Sequence, residues 1–428
     1  MWAMAKKSEN AVSSALGVLV LAVFAVATEA GALAAEAEPH THVAIAIDPA
    51  LDWEAVIAAT LSAHPRGAEL AARAAEAEAW GVRGRHWLAA APALYFSYLS
   101  DSPLDDSGQL EYEGGVELPL WHAGQRRAVQ ALAESTVAGS AAAVAALRLE
   151  VVGLLRGMLW DVEAAAIELA AAGDTVGVAQ ELLRVVELRN ARGDLSRSDV
   201  LLARATLLER QQAVVTAAAK LVDAERSYYV VTGLDRRPAQ FAEERSVTTD
   251  LGASHPLLAL ADADVARAEG QSELVDREAR GNIAVTLGPR REYAAFNSVP
   301  NDSVALGFRV PVGGSNHAVT ARAAADRLAA SAAAERELLR RRLELDFHEA
   351  EHTLTVLDES SVLAAERREL AAQQARMAQV AFAQGEIELR ELLRVQESEQ
   401  SAVRDVQRLA VERQRTIAAL NQALGETP

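Results

Sequence analysis

The sequence contains no cysteine in its 428 residues, so a disulfide framework, a thiolate metal site and a cysteine-linked lipid anchor are excluded. Aromatic residues are scarce, at 4% against a hydrophobic share of 50%, and alanine dominates the apolar set. That balance favours long, closely packed helices over a bulky globular core. Nothing resembling a basic stripe relieves the formal net charge of −18, which argues against a nucleic-acid partner, since counterions could not be displaced from phosphates. Long apolar runs are missing as well. The exception, Leu16 to Ala27, follows Lys6 and Lys7 and precedes Ala32-Leu33-Ala34-Ala35, the order of a secretory signal cleaved near Ala34 or Ala35. An apolar run of about a dozen residues is short for a bilayer-spanning helix. No later segment reads as apolar enough to span a membrane as a helix, so a mature protein that reaches one must use another route.

Glycine and proline are absent from about Asn316 to Ala383, a stretch that as one helix would extend on the order of 100 Å. Such a helix must end in a tight reversal. Gly385-Glu386-Ile387-Glu388-Leu389-Arg390-Glu391-Leu392-Leu393 supplies one, and Gly193-Asp194-Leu195-Ser196-Arg197-Ser198-Asp199-Val200-Leu201 has the same form 192 residues earlier (385 minus 193). The displacement recurs in Pro119 and Pro311 and in Gly233 and Gly425, with His64-Pro65 and His255-Pro256 offset by 191. The chain therefore reads as a tandem duplication: a signal over 1–35, a first repeat over 36–233, a charged linker over 234–254 and a second repeat over 255–428. Each glycine is expected to take the left-handed conformation that ends a helix, with Asp194 or Ser196 capping the helix that follows. Return helices are expected over about Arg197 to Val231 and Leu389 to Leu424. Val356, Leu363, Leu370 and Met377 step by seven, as do Ala164, Ala171, Val178 and Val185, so both long helices are expected to carry coiled-coil seams.

Upstream, Leu51 to Leu61 and about Gly67 to Arg85 have helical spacing. The period then changes to two. Leu110, Tyr112, Val116, Leu118 and Leu120 share one face of a strand while Glu111, Glu113 and Glu117 share the other. Leu94, Phe96 and Tyr98 belong to its partner, and the repeat adds Ile283, Val285 and Leu287, then Val304, Leu306, Phe308, Val310 and Val312. The strands fall at about 88–120 and 282–312. Two such hairpins suit either a half-buried soluble sheet or staves of a transmembrane barrel. Four strands cannot close a barrel, and unpaired edges are not tolerated in lipid, so membrane entry would require several chains. Glu111, Glu113 and Glu117 either keep one face wet or line a cation-favouring lumen. Asp194, Asp199, Glu386, Glu388 and Glu391 either support the helix ends or ring an aperture. Tyr98, Tyr112, Trp121 and Phe308 are candidates for an interfacial girdle or for packing beneath loops.

Leu-Asp-Trp-Glu-Ala-Val at 51–56, the His-Pro pairs, Val-Glu-Leu-Pro-Leu-Trp-His-Ala-Gly at 116–124, Phe-Arg-Val-Pro-Val-Gly-Gly at 308–314 and the two turns together resemble the TolC family of outer membrane efflux ducts over essentially the whole mature chain. Gly193 to Leu201 follows the family's Gly-x-x-x-x-x-Asp-Val-Leu pattern, whereas the second turn departs from it with Glu391 and Leu392. The Glu-Leu-Pro-Leu-Trp and His-Pro details are most similar to the heavy-metal efflux branch. The resemblance implies a mainly α fold with a small β part: duplicated helical hairpins forming an α-barrel in the periplasm, and four strands per chain joining a trimeric twelve-stranded barrel in the outer membrane. As partners it implies a homotrimer, outer membrane lipid, a periplasmic adaptor and an inner-membrane pump of the resistance-nodulation-division type. The docking residues would be Gly193, Leu195, Ser196, Asp199, Val200, Leu201, Gly385, Ile387, Leu389 and Leu392. The rival expectation is a non-transport coiled-coil scaffold of the cell envelope. His348-Glu349-Ala350-Glu351-His352 satisfies the zinc-protease pattern H-E-x-x-H, but it lies inside an uninterrupted helix and has no twin, since Arg156 and Trp160 hold the corresponding positions. The reading is of a passive duct with no catalytic, cofactor or metal residues.

Overall fold

The computed structural model describes residues 44–102, 104–252, 254–313, 316 and 318–428; the expected signal lies outside them. A short helix α1 (Trp53–Ala63) starts where the Asp52 carboxylate accepts the Ala55 amide at 2.8 Å. It ends before His64-Pro65, and α2 (Gly67–Arg85) follows. The His64 ring accepts the Arg66 amide through Nδ1 at 3.2 Å, and in the second repeat His255 accepts the Leu257 amide in the same way, also at 3.2 Å. The second pair thus works as a helix start, with Pro256 at the first helical position and the imidazole taking the next amide, whereas His64-Pro65 forms the turn between α1 and α2. His255 is 2% exposed, and burial lowers its pKa from the ordinary histidine value, so Nδ1 remains an acceptor.

Two strands, β2 (Ala93–Ser100) and β3 (Leu110–Leu120), precede α3 (Gln125–Ala191), a helix of 67 residues, and α4 (Arg197–Thr232). The second repeat copies the order with α5 (Pro256–Glu278), β5 (Ile283–Tyr293), β6 (Asn301–Arg309), α6 (Val319–Gln384, 66 residues) and α7 (Leu389–Ala423). Two three-residue strands too short to show a period, β1 (Ala46–Asp48) and β4 (Arg236–Pro238), pair in parallel. Helix α3 is central: it packs along α4, α5 and α2 and touches α7, while α6 packs on α7 and α5. Its apolar side chains Leu147, Val151, Leu155 and Leu159 form one core with Val56, Ile57, Tyr228, Phe241 and Val411.

Two expectations need correction, and a third gains detail. An 18-residue window within α3 is apolar enough to cross a membrane by composition, contrary to expectation, and 39% of it is buried inside the fold. The charged segment 235–250, expected as a linker, also packs against the helices. Arg237 is buried against Glu163, and Glu243 forms a buried pair with Arg156 at 2.5 Å, held further by Asn421 and Gln422. The heptad Val356, Leu363, Leu370, Met377 does not pack within the chain, as all four are 47–67% exposed. The buried register lies one residue on, at Leu357, Ala371 and Ala378, a rotation of about 100° around the helix.

Candidate functional site

The four longer strands form one antiparallel sheet in the order β2-β3-β5-β6. The register sets Leu94 opposite Val116, Val116 opposite Leu287 and Leu287 opposite Leu306, so one apolar stripe crosses all four strands. That stripe faces outward: Leu94 is 86% exposed, Val304 75% and Phe308 70%. The opposite face carries most of the charges and is the better covered one, while on the apolar face the Arg291–Asp302 pair stands beside Tyr112 at the loop end. Glu111 accepts from Arg290 at 2.7 Å, Glu113 accepts the Tyr95 hydroxyl at 3.1 Å, and Glu117 pairs with Arg309. The three acids expected to share one face therefore do so, but two of them are bound to arginines of the second repeat. Arg309 is the repeat equivalent of Glu117 (117 plus 192), and this inversion of charge between the repeats is the sequence signal that points to the pair.

Glycines allow β3 and β5 to meet closely. A Cβ on Gly288 would lie 1.9 Å from the Gly114 carbonyl oxygen, and one on Gly115 would lie 2.3 Å from that of Leu287. The aromatic candidates separate. Tyr98 and Tyr112 meet with ring centroids 5.3 Å apart and planes tilted by 40° on the exposed stripe near the loops, and Phe308 sits on the same stripe at its other end. Trp121 instead packs at the foot of β3 beside the Ala128, Leu132 and Leu274 cluster and donates its indole N–H to the His86 carbonyl.

At the far end of the helices the two turns lie together. Gly193 (φ 85°) and Gly385 (φ 80°) are both left-handed. In the first turn Ser196, not Asp194, is the cap. Its hydroxyl accepts the Asp199 amide at 3.2 Å while the Asp199 carboxylate accepts the Ser196 amide at 2.9 Å, a capping box. In the second turn Glu388 occupies the cap position and makes no such bond. Glu391 is bound by Arg394 at 2.5 Å, which lowers its pKa below the ordinary glutamate value. The apolar residues expected to dock a partner divide. Leu201 is exposed, and Leu195, Val200 and Ile387 are half-buried. Leu389 and Leu392 are 1% and 2% exposed and are not available: they hold the two hairpins together with Leu182, Val186, Ala375 and Phe382.

A second apolar feature runs up from the turns. On α4, Leu201, Leu208 and Val215 stand 8, 15 and 22 residues beyond Gly193; on α6, Met377, Leu370 and Leu363 stand 8, 15 and 22 before Gly385. All six are 58–70% exposed. These stripes therefore lie at matched heights on the two outer helices, each without a partner among the described residues. His348, Glu349 and His352 are exposed on α6, and among the described residues no group of three or more metal-ligating side chains is assembled.

Residues 93–234 match the family model for outer membrane efflux protein. Among solved structures, the outer membrane protein VceC of Vibrio cholerae is 15% identical, with 87% of this chain and 95% of that chain covered at a TM-score of 0.68. CusC, whose structures describe transmembrane channel formation, is 16% identical over 87% and 92% at 0.67. The CmeC outer membrane channel of Campylobacter jejuni is 13% identical over 87% and 85%, also at 0.67. At these identities the likeness carries the fold, including the duplicated hairpins and the four-stranded sheet. No curated protein matches the sequence.

Proposed function

We propose that this chain, a member of the outer membrane efflux protein family, is the outer membrane duct of an efflux assembly, a passive conduit from the periplasm or an inner-membrane pump to the exterior. The family and fold are those of channels rather than enzymes, so the His348–His352 pattern is not a protease site. The observation that carries the reading is the inverted sheet: its large apolar side chains point out, and most of its charges lie on the other, better-covered face, the reverse of a soluble sheet and the arrangement a barrel wall needs in lipid. Among the described residues its edge strands β2 and β6 are unpaired, which a bilayer does not tolerate. Neighbouring copies joining β6 to β2 would close the sheet, and the same ring would bring the α4 stripe of one copy against the α6 stripe of the next at matched heights. Three copies give the twelve strands that the family resemblance implies.

In this reading the helices cross the periplasm and the turns meet a periplasmic adaptor, itself coupled to an inner-membrane pump of the resistance-nodulation-division type. The transported substrates, heavy-metal cations or drugs, are selected largely by that pump. Outer-membrane fractionation with unheated gel mobility tests the core of the proposal. A heat-modifiable trimer in the outer membrane is expected; a soluble periplasmic monomer would return the chain to the scaffold reading. Leu208→Glu with Leu370→Glu should abolish the trimer band, because it puts carboxylates on both sides of the seam.

A further inference from the structure

Each repeat carries a His-Pro pair and ends its return helix at a left-handed glycine, but only in the second repeat do the two meet. In the first, His64 is half-buried and a Cβ on Gly233 would meet nothing within 4 Å. In the second, a Cβ on Gly425 would lie 2.7 Å from Cδ2 of His255 and 2.8 Å from Cδ of Pro256. The end of α7 is therefore pressed against the start of α5. It is also fastened to the crossing segment: Asn421 accepts the Ser246 amide at 3.1 Å, and the Glu426 carboxylate accepts the Ser246 and Thr248 hydroxyls at 2.6 and 3.0 Å.

The His255 ring at this junction has a fixed tautomer. Because Nδ1 accepts the Leu257 amide, the one proton of the neutral imidazole is on Nε2, which has no hydrogen-bond partner among the described residues. A second proton can go only to Nδ1. There it would face the Leu257 N–H, so the bond that starts α5 is lost and a cation is left in a site 2% exposed.

No carboxylate among the described residues answers that cation. At the end of α7, Glu426 is taken up by the two hydroxyls; in the crossing segment Glu243 is paired with Arg156 and Arg245 with Glu351, while Glu244 and Asp250 are exposed. Helix α5 runs antiparallel to α3 and α6, with Ala263 against Gly139 and Asp262 bonded to Arg336. Continuing those registers sets His255 level with Leu147 and Leu343, both buried. The charges nearest those two along their helices are engaged elsewhere: Arg148 with Glu54, Glu150 with Arg66, Arg342 with Asp346 and Glu344 with Arg340. Burial is the largest influence on the ring and lowers its pKa, against a smaller opposite pull from the Ala423 backbone.

We infer that His255 is a pH-sensitive latch between the end of α7 and the start of α5, closed while its imidazole is neutral and released by protonation. The direction follows from linkage. The latch is at full strength above the ordinary histidine value of about 6.5 and weakens as pH falls from there through the lower value of the buried ring. His64 has no glycine pressed against it and is not such a latch.

The test is amide hydrogen exchange of the full-length protein at pH 7.5 and 5.0, compared as protection factors, with unheated gel mobility as the folding control. In acid the Leu257, Ala259, Gly425 and Glu426 amides should lose protection, by up to about tenfold for each pH unit below about 6.5, while those of 265–274 in α5 hold theirs. His255→Asn should show equal protection at the two pH values, since its side-chain oxygen caps the helix and does not titrate. His64→Asn should leave the acid response in place. The same acid loosening in His255→Asn would overturn the assignment. If that variant does not fold, the unaltered protein decides: no loosening at the junction, or uniform loosening along α5, would overturn it equally.

Discussion

The two turns reverse the chain by the same glycine, yet they are held by different means. The first supports itself: a Cβ placed on Gly193 would meet nothing within 4 Å, and the Ser196–Asp199 box satisfies the start of α4. The second lacks a side-chain cap at Glu388 and leans on its neighbour. Arg189, from α3, donates to the Phe382 carbonyl at 2.6 Å, near the end of α6, and lies over the Phe382 ring at 5.0 Å. Duplication therefore copied the backbone reversal but not its local support. The second turn keeps the same backbone bonds as the first but draws its side-chain support from the other hairpin, so parting the hairpins should loosen it more than the first.

The largest effect should come from the glycines. Valine at 193 or 385 would hold a β-branched side chain at positive φ, a strain of about 2 kcal/mol. The turns lie far from the sheet, so Gly193→Val and Gly385→Val are expected to reach the outer membrane as trimers and fail in efflux. The two should be strained alike, because a Cβ on Gly385 would meet the Arg189 guanidinium only at 3.6 Å, an ordinary contact, and one on Gly193 would meet nothing. Drug or metal susceptibility of cells, read beside trimer mobility, checks this. Loss of the trimer would show that the glycines chiefly serve folding, and full efflux would remove the turns from the docking role.

Next in size is Arg189→Gln. A hydrogen bond from a charged donor contributes about 2 kcal/mol, and here it acts on the second turn alone. Hydrogen exchange should speed up over 381–392 while 193–203 stays protected. Equal loosening of both turns would contradict the asymmetry.

How legible these features are in the sequence differs from one to the next. The turn glycines and strand β3 can be read residue by residue, because a left-handed helix end and a period of two are local properties. The fold follows from the duplication. The heptad at Val356 is equally plain, but its partner is not, since periodicity reveals that a stripe is apolar and not what covers it; within the chain nothing does. Arg156–Glu243 and Arg290–Glu111 join residues 87 and 179 apart, so their charges read as solvated until the packing of α3 and the β3–β5 pairing are known. Leu389 and Leu392 read as a surface for the same reason: the neighbouring hairpin that buries them is remote in sequence.

A smaller effect is expected at the first cap. Ser196→Ala removes the acceptor for the Asp199 amide and should cost about 1 kcal/mol. The change would make the first turn resemble the second without its arginine support. Faster exchange at the start of α4, with α7 unaffected, is the expected result.

The smallest effect runs the other way. Glu388 already has extended backbone (φ −79°, ψ 158°), close to that of Ser196 (φ −79°, ψ 160°), and Glu391 stands three residues on. Glu388→Ser would therefore complete a Ser-x-x-Glu capping box in the second turn. Glu391 must leave Arg394 to join it, and that bond is exposed on both sides, so little is lost by the exchange. The gain should be below about 1 kcal/mol, seen as slower exchange at the Leu389 to Leu392 amides. Combined with Arg189→Gln, the serine should restore part of the protection that the arginine had supplied. If it restores none, the second turn depends on contact with the first hairpin through its buried leucines rather than through its helix ends.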